Sequence, residues 1–325
     1  MRIIKDTHID FMSQRKLAFI ISTVVILSGL ISLLVNGGPK LSIDFKGGTL
    51  VSVQYTKDMD ILAVRSAMGK LNVDGQDFDF SREEIKYFGD PGAVLIRVPH
   101  IDGAPQNFAQ KIVDHLYNSF PEMVPENKSD FILGKGTVSP KIGSELSGKA
   151  IMAIISSLGL ILLYISIRFE FRFALGAIAA LTHDVFVTLG LFSLLGYEIS
   201  LPIVAAFLTI VGYSLNDTIV IFDRIRENIK ASKKDAYVTI VNRSVNESLS
   251  RTIVTSLTTF LVVFILWYFG GEVIHNFALA MIIGVIVGTY SSIFIAAPVL
   301  VLFENHYQRI YAERDTEEGS GENQK

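Results

Sequence analysis

Five side chains in this sequence are suited to proton chemistry and stand where such side chains are costly to keep. Asp184 follows His183 within the apolar stretch 173–195, Asp217 follows Asn216 within 201–222, and Arg251 stands at the head of 252–269. A charge at the centre of a membrane helix costs at least about 2.5–3.5 kcal/mol, so an ionisable residue there is a functional candidate by default. Asp184 lies roughly 16 Å into its stretch at the rise of an α-helix, near the middle of a bilayer. A desolvated carboxyl holds its proton tightly and a nearby guanidinium loosens it, so moving an arginine relative to a carboxylate switches proton affinity. That is the minimum equipment for coupling a proton gradient to motion. Each residue also has a plainer reading. Arg251 could snorkel to the interface, Asp217 could staple two helices, and His183 with Asp184 could be hydrogen-bonded packing groups.

Other chemistries are excluded by what the sequence lacks. There are no cysteines, hence no disulfide, thiolate metal site, cysteine nucleophile or palmitoylation. Asp44, His100, Asp102 and His115 have no metal-ligand spacing, and Ser13, Ser42 and Ser81 sit in no G-x-S-x-G elbow. Two membrane aspartates would suit an intramembrane aspartyl protease, but its G-x-G-D loop is missing, since Leu215-Asn216 precede Asp217. The expectation is a protein without catalytic residues, metal or organic cofactor, driven by a proton gradient. A net charge of −3 and the lack of any basic recognition segment argue against nucleic acid as a partner.

The elements that position these residues are membrane helices. Half of the 325 residues are hydrophobic and only 19% are charged, against roughly 25% charged in a soluble domain. Spanning the hydrocarbon takes about 20 mostly apolar residues. Six stretches qualify, at 17–35, 150–167, 173–195, 201–222, 252–269 and 277–303. The first could instead be a cleaved signal peptide, but it is expected to stay as a membrane helix, because its apolar core exceeds the usual ~7–15 residues and no A-x-A-like site follows. Arg2, Lys5, Arg15 and Lys16 precede it. Arg168 and Arg172 follow the second stretch, and Arg224, Arg226, Lys230, Lys233, Lys234, Arg243 and Arg251 follow the fourth, with Arg309, Arg314 and Lys325 in the tail. The loops 196–200 and 270–276 have no lysine or arginine. The positive-inside rule therefore puts both termini in the cytoplasm. Residues 36–149 become one exported block of about 110 residues, an ordinary domain size.

Within that block, 50–55 alternates as a strand, 59–71 has helical spacing, 78–88 and 93–98 read as strands around Gly89-Asp90-Pro91-Gly92, 107–120 is an amphipathic helix and 130–138 a closing strand. The order β-α-β-β-α-β is that of a ferredoxin-like split βαβ domain. Residues 141–149 read as a helix leading into the second span. Gly47-Gly48, just before the first strand, imply a tight turn or close backbone packing near the membrane, a structural or hinge role. Ala280, Gly284, Gly288, Ser292 and Ala296 recur every four residues as a helix-packing face, for this bundle or for a partner. Val238, Val241, Val245 and Leu249 form an apolar stripe amid basic residues, suited to a helix lying on the inner leaflet. The expected organisation is a cytoplasmic start (1–16), one membrane helix (17–35), an exported ferredoxin-like domain (36–149), a five-helix bundle (150–303) and a polar cytoplasmic tail (304–325).

Gly212-Tyr213-Ser214-Leu215-Asn216-Asp217-Thr218-Ile219-Val220-Ile221-Phe222-Asp223-Arg224-Ile225-Arg226-Glu227-Asn228 closely resembles the signature of the SecF family of bacterial protein-export membrane proteins. Supporting matches are the segments 168–173, Leu181-Thr182-His183-Asp184 and 244–252, and the stretch Asp44 to Thr49 looks like the family's Gly-Gly motif. One span, an exported domain and five spans is also the family's layout. The resemblance implies half of a twelve-span RND-like arrangement in the bacterial inner membrane. Its partners would be SecD, usually the small protein YajC, the SecYEG channel, the translocating preprotein and membrane lipid. It implies use of the proton motive force to promote preprotein export after ATP-driven translocation. It also implies that Asp217 and Arg251 serve proton passage. The alternative is half of a small-molecule RND-type exporter, although so small an exported block leaves little room for a large substrate pocket.

Reporter fusions after Lys46 or Asn118 are expected to read as exported, and fusions after Lys234 or Arg314 as cytoplasmic. A cytoplasmic signal at Asn118 would overturn the whole arrangement, because every later assignment depends on that parity.

Overall fold

The computed structural model describes residues 7–105, 107–232 and 234–304, so Arg2, Lys5, Lys233 and the tail from 305 onward lie outside the described residues. Among the described residues, six helices are long and apolar enough to cross a membrane, one before and five after a small sheet domain. The first, α1, is Arg15–Val35. After the turn at Gly37 and Gly38 comes a four-residue helical turn, α2 (Ile43–Lys46), capped by the Ser42 hydroxyl, which accepts from Asp44 N at 3.2 Å.

The sheet domain then runs β1 (Gly48–Gln54), α3 (Ile61–Met68), β2 (Leu71–Val73), β3 (Gln76–Phe78), β4 (Glu84–Phe88), β5 (Asp90–Val98), α4 (Phe108–Ser119), α5 (Lys128–Phe131) and β6 (Ile132–Val138). The main sheet has the order β4-β5-β1-β6 with every neighbour antiparallel. That is the ferredoxin-like arrangement, with α3 and α4 as the two crossovers. Strand alternation divides the faces. Val51, Val53, Val94 and Ile96 join Val64, Met68, Ile112 and Leu116 in one core, while Leu50, Ser52, Leu95 and Arg97 point the opposite way, lining a cavity of about 480 Å³ above the membrane loops.

Two details depart from the sequence reading. The strand expected over 78–88 is split, because the chain turns at 79–83, where Asp79 Oδ1 accepts from Ser81 N at 2.9 Å. Ahead of it Asp74 (φ 53°) and Gly75 (φ 85°) form a tight turn that pairs β2 with β3. Both central residues at positive φ are the mark of a type I′ hairpin, for which Asp-Gly is a favoured dipeptide. Asp130 and Phe131 belong to the helical turn α5, whose cap is Asn127, so the last strand begins at Ile132.

The bundle comprises α6 (Pro140–Arg168), α7 (Phe171–Leu194), α8 (Leu201–Ala231), α9 (Tyr237–Phe269) and α10 (Gly271–Ser291). A turn of π-helix over Ser292–Ala296 follows α10 within a span that runs to Glu304. More than half of each apolar stretch in α7, α8 and the last span is buried, whereas α6 is almost wholly exposed on its flanks. Small residues set the close approaches. Gly29 on α1 faces Gly190 on α7, where an added Cβ would stand 2.5 Å from the opposing Cα. Gly284 and Gly288 face Ile210 and Ser214 of α8, so the four-residue repeat on α10 packs within this chain.

The helix expected on the inner leaflet does not lie there. Val241, Val245 and Leu249 are buried in the same core as Phe11, Met12, Phe222 and Ile225, and α9 runs unbroken from Tyr237 into the membrane. Their stripe is the helix-packing face of an extended span. The chain before α1 is tied to it as well. Asn242 Oδ1 accepts from Phe11 N at 2.9 Å, and Asn246 Oδ1 accepts from Ile9 N at 2.9 Å.

Two glycines test this packing. A Cβ at Gly288 would lie 2.9 Å from Ser214 Cβ, whereas one at Gly212 meets nothing within 4 Å. Gly288→Leu is therefore expected to cost at least roughly 1–3 kcal/mol of overpacking, lowering the melting temperature in detergent. Gly212→Ala should leave that temperature unchanged or raised. Equal melting of both variants would refute the α8–α10 contact.

Candidate functional site

The membrane carboxylates sit in two hydroxyl-rich nests along α8 and α10. Asp184 on α7 is fully buried. Its Oδ2 accepts from Ser214 Oγ at 2.5 Å and Ser291 Oγ at 2.8 Å, and its Oδ1 lies 2.9 Å from His183 Nδ1. The imidazole continues the chain, with Nε2 3.0 Å from Ser22 Oγ of α1 and Ser22 3.1 Å from the Tyr290 hydroxyl. Tyr290 in turn donates to the Ala18 carbonyl at 2.9 Å. One carboxylate thus joins α7, α8 and α10 directly, and α1 through histidine. Ser291 is the last residue of α10 before its π-helical turn; such turns often occur at functional positions.

Asp217 lies one helical turn further along α8 and is 2% exposed. Ser256 Oγ on α9 donates to its Oδ2 at 3.1 Å, and Thr255 Oγ1 donates to its Oδ1 at 3.4 Å. Ser256 also lies 2.6 Å from Thr289 Oγ1 on α10. All these donors are neutral. Arg251, which opens the membrane part of α9, is exposed, and among the described residues its guanidinium makes no ion pair within 4 Å. Asn216 is exposed too, about 100° round α8 from its buried neighbour Asp217. Ala205, Thr209 and Gly212 share that outward face. The arrangement therefore brings Asp217 together with α9 and α10 and leaves Arg251 and Asn216 at the open side of the bundle.

Sequence reasoning singled out the charged residues and passed over their partners. Ser22, Ser214, Ser256, Thr289, Tyr290 and Ser291 are hydroxyls in apolar stretches, and serine in a membrane helix reads as a small packing residue. Beyond the hydrocarbon stretch, Arg224 Nε donates to Glu247 Oε2 at 2.6 Å, and Asn228 donates to Glu247 at 2.7 Å and to Ser244 at 3.0 Å. Glu227 also pairs with Arg224 at 2.9 Å. These contacts hold the long ends of α8 and α9 together, so the polar part of the signature is a clasp between two helices.

At the opposite end, the Gly-Gly segment is built into a junction. Gly48 has φ 140°, and a Cβ there would lie 2.6 Å from the Val98 carbonyl oxygen; at Gly47 (φ 77°) it would lie 2.8 Å from Pro140 N. A side chain would be strained and blocked at both positions. Beside them Arg97 pairs with Glu198, in the loop between α7 and α8, and with Glu84 at 3.3 Å. Lys40 reaches Glu198 at 3.1 Å. Two carboxylates share one guanidinium, and they divide accordingly. Burial pushes both up; at Glu84 the adjoining Glu198 carboxyl and Arg97 outweigh it and hold the group at about 2, whereas Glu198 stays raised.

The fold and site define a multi-pass membrane protein with buried carboxylates in a one-plus-five helix layout and a ferredoxin-like domain between. Residues 122–306 match the model of the protein export membrane protein SecD/SecF, C-terminal, and residues 31–59 match the SecD/SecF GG motif. A protein translocase subunit SecF from Calditerrivibrio nitroreducens is 46% identical over 94% of this chain and 97% of its own length. That of Rhodothermus marinus is 45% identical over 93% and 95%. The crystal structure of SecDF from Thermus thermophilus, a translocon-associated membrane protein, superposes with a TM-score of 0.79 at 36% identity, covering 92% of this chain. This chain spans only 39% of the length of that one. The chain belongs to the SecD/SecF family of protein-export membrane proteins.

Proposed function

We propose that this chain is the SecF-type membrane subunit of a Sec translocase accessory complex. It pairs with a SecD chain, joined by YajC and standing beside the SecYEG channel, and uses the proton motive force to promote preprotein export after ATP-driven translocation. It is a transport subunit of the bacterial inner membrane with both termini in the cytoplasm and the ferredoxin-like domain exported. The observation that carries this reading is the placement of Asp217. It is buried at the meeting of α8, α9 and α10 and held by neutral hydroxyls. Such partners serve a carboxylate or a carboxylic acid equally well, because a hydroxyl both donates and accepts.

The open face supports a partner. Arg251, Asn216 and Thr209 are exposed on the bundle, and polar side chains rarely face lipid because of their desolvation cost. Ala205 and Gly212 on the same face let a second helix approach closely. A SecD chain covering this face would bring its own groups to Arg251 and complete the proton path. The solved SecDF chains are more than twice as long as this one, of which each is covered for only 39% or 41%. That leaves room in them for a second half.

In vesicles with matched subunit levels, Asp217→Asn is expected to keep partner assembly and abolish gradient-stimulated release of preprotein. Arg251→Lys should also lose most of the stimulation, since lysine keeps the charge but not the planar fork. Asp184→Asn should be milder. Stimulation that survives intact in Asp217→Asn would leave a scaffold role instead.

A further inference from the structure

The first residue of α8 is tied to the ferredoxin-like domain's base. Asp44 Oδ2 accepts from Leu201 N at 3.0 Å, taking one of the backbone donors that a helix start leaves unpaired. Ser42 N donates to the Ile199 carbonyl at 2.9 Å, and Ile199 N donates to the Lys40 carbonyl at 2.7 Å, so Leu41 and Ile199 form a short parallel bridge. Arg97 on β5 reaches down to Glu198, and Lys40 grips the same carboxylate. Asp44 lies four residues and Lys40 eight residues before β1, and Arg97 lies on the strand paired with β1 through Leu50. The backbone of α2 is also pressed on α6, where a Cβ at Gly143 would come within 2.5 Å of the Phe45 carbonyl oxygen.

From Leu201 the helix α8 continues unbroken to Asp217 and beyond. The separation along the axis is about 24 Å at 1.5 Å per residue. Because its far end is clasped to α9 by Glu247, α8 is a rod held at three levels: the far clasp, the carboxylate and the domain base. On the proton-coupled reading, proton uptake at Asp217 turns an acceptor oxygen into a donor, so Ser256 or Thr255 must turn to accept, and the contacts that seat the rod against α9 are exchanged. A tie at the rod's first residue carries any such shift straight into the sheet.

We propose that Asp44, Arg97 and Glu198 are positioning residues that transmit movement of α8 at Asp217 to the ferredoxin-like domain, through a tie that stays closed during the working cycle. This rests on the proton-coupled reading of Asp217, and the two can fail separately. Arg97 serves the tie through Glu198, with Glu84 opposite it on β4 steadying the guanidinium, so the latch holds by charge as well as by backbone pairing. Asp44 gives the Gly-Gly segment a role of its own, since the glycines let α2 lie close enough to β5 and α6 for its carboxylate to reach the head of α8.

The chain has no cysteines, so labels can be placed in pairs without background. In the full complex with its SecD partner in proteoliposomes, one pair, Gln76→Cys with Tyr268→Cys, reports the domain against the bundle. A second, Lys230→Cys with Tyr164→Cys, reports the far end of α8. Distances are measured by electron spin resonance with and without an imposed proton gradient. Both pairs are expected to shift in the protein with its latch intact. With Asp44→Asn and Arg97→Gln combined, the second pair should still shift and the first should not. A first pair that shifts undiminished in that variant would overturn the latch. Shifts of neither pair with the latch intact, or shifts that persist in Asp217→Asn, would overturn the proton reading and the latch with it. A second measurement does not depend on weakened variants. A disulfide between Leu41→Cys and Ile199→Cys should leave gradient-stimulated export intact, because the tie never opens; its abolition under oxidising conditions with recovery on reduction would contradict the proposal.

Discussion

A carboxylate within a hydrocarbon layer must bring its own solvent, and the architecture of this protein follows from that requirement. With no water to share, each oxygen needs donors from neighbouring helices, because an unpaired buried polar group costs several times what a satisfied one returns. Asp184 obtains its donors from α8, α10 and the adjoining imidazole. Those donors reach it only because glycine and alanine let the helices close to within touching distance. Gly176 faces the Ala296 carbonyl, and Gly288 faces Ser214, which is itself a donor to Asp184. Small residues and hydroxyls are therefore two parts of one device.

The same helices hold Asp184 and Asp217 in different ways. Asp184 has short contacts to two serines and the adjoining imidazole and no exposed surface, an arrangement suited to holding helices together. Asp217 has longer contacts to two hydroxyls, one of them shared with Thr289. A looser nest of hydroxyls suits the proton-carrying role proposed for it. His183 adds reach: it carries the Asp184 network to Ser22 and thence to Tyr290, so α1, first in sequence and separated from the bundle by a whole domain, is held to α7 by polar contacts as well as by the Gly29–Gly190 approach.

Much of this was legible in the sequence, and the reasons are physical. Length and hydropathy identify membrane helices because nothing else satisfies their backbone in lipid. The β-α-β-β-α-β order emerged from periodicity in a domain whose core faces are as regular as Val51/Val53 and Ile112/Leu116. The boundaries were less legible. Apolar runs stop at the hydrocarbon edge, whereas α8 and α9 continue past it as amphipathic helices, stabilised by Arg224, Asn228 and Glu247. The stripe of Val241, Val245 and Leu249 has the same pattern whether it faces lipid or another helix, and only the fold shows that it faces α8 and the chain before α1. The Asp74-Gly75 hairpin was in plain view but lay between the helix expected over 59–71 and the strand expected over 78–88, in a stretch too short for the alternation of a strand to show. Least legible were the serine and threonine partners, since a hydroxyl carries no signal until the carboxylate it serves is brought beside it.

The central claim is that Asp217 changes protonation while remaining buried. Infrared difference spectroscopy tests it on the assembled complex in lipid, comparing spectra before and after acidification of the compartment facing the ferredoxin-like domain. The account expects a reversible protonated-carboxyl C=O band that is missing in Asp217→Asn and retained in Asp184→Asn. The same band appearing undiminished in Asp217→Asn would contradict it.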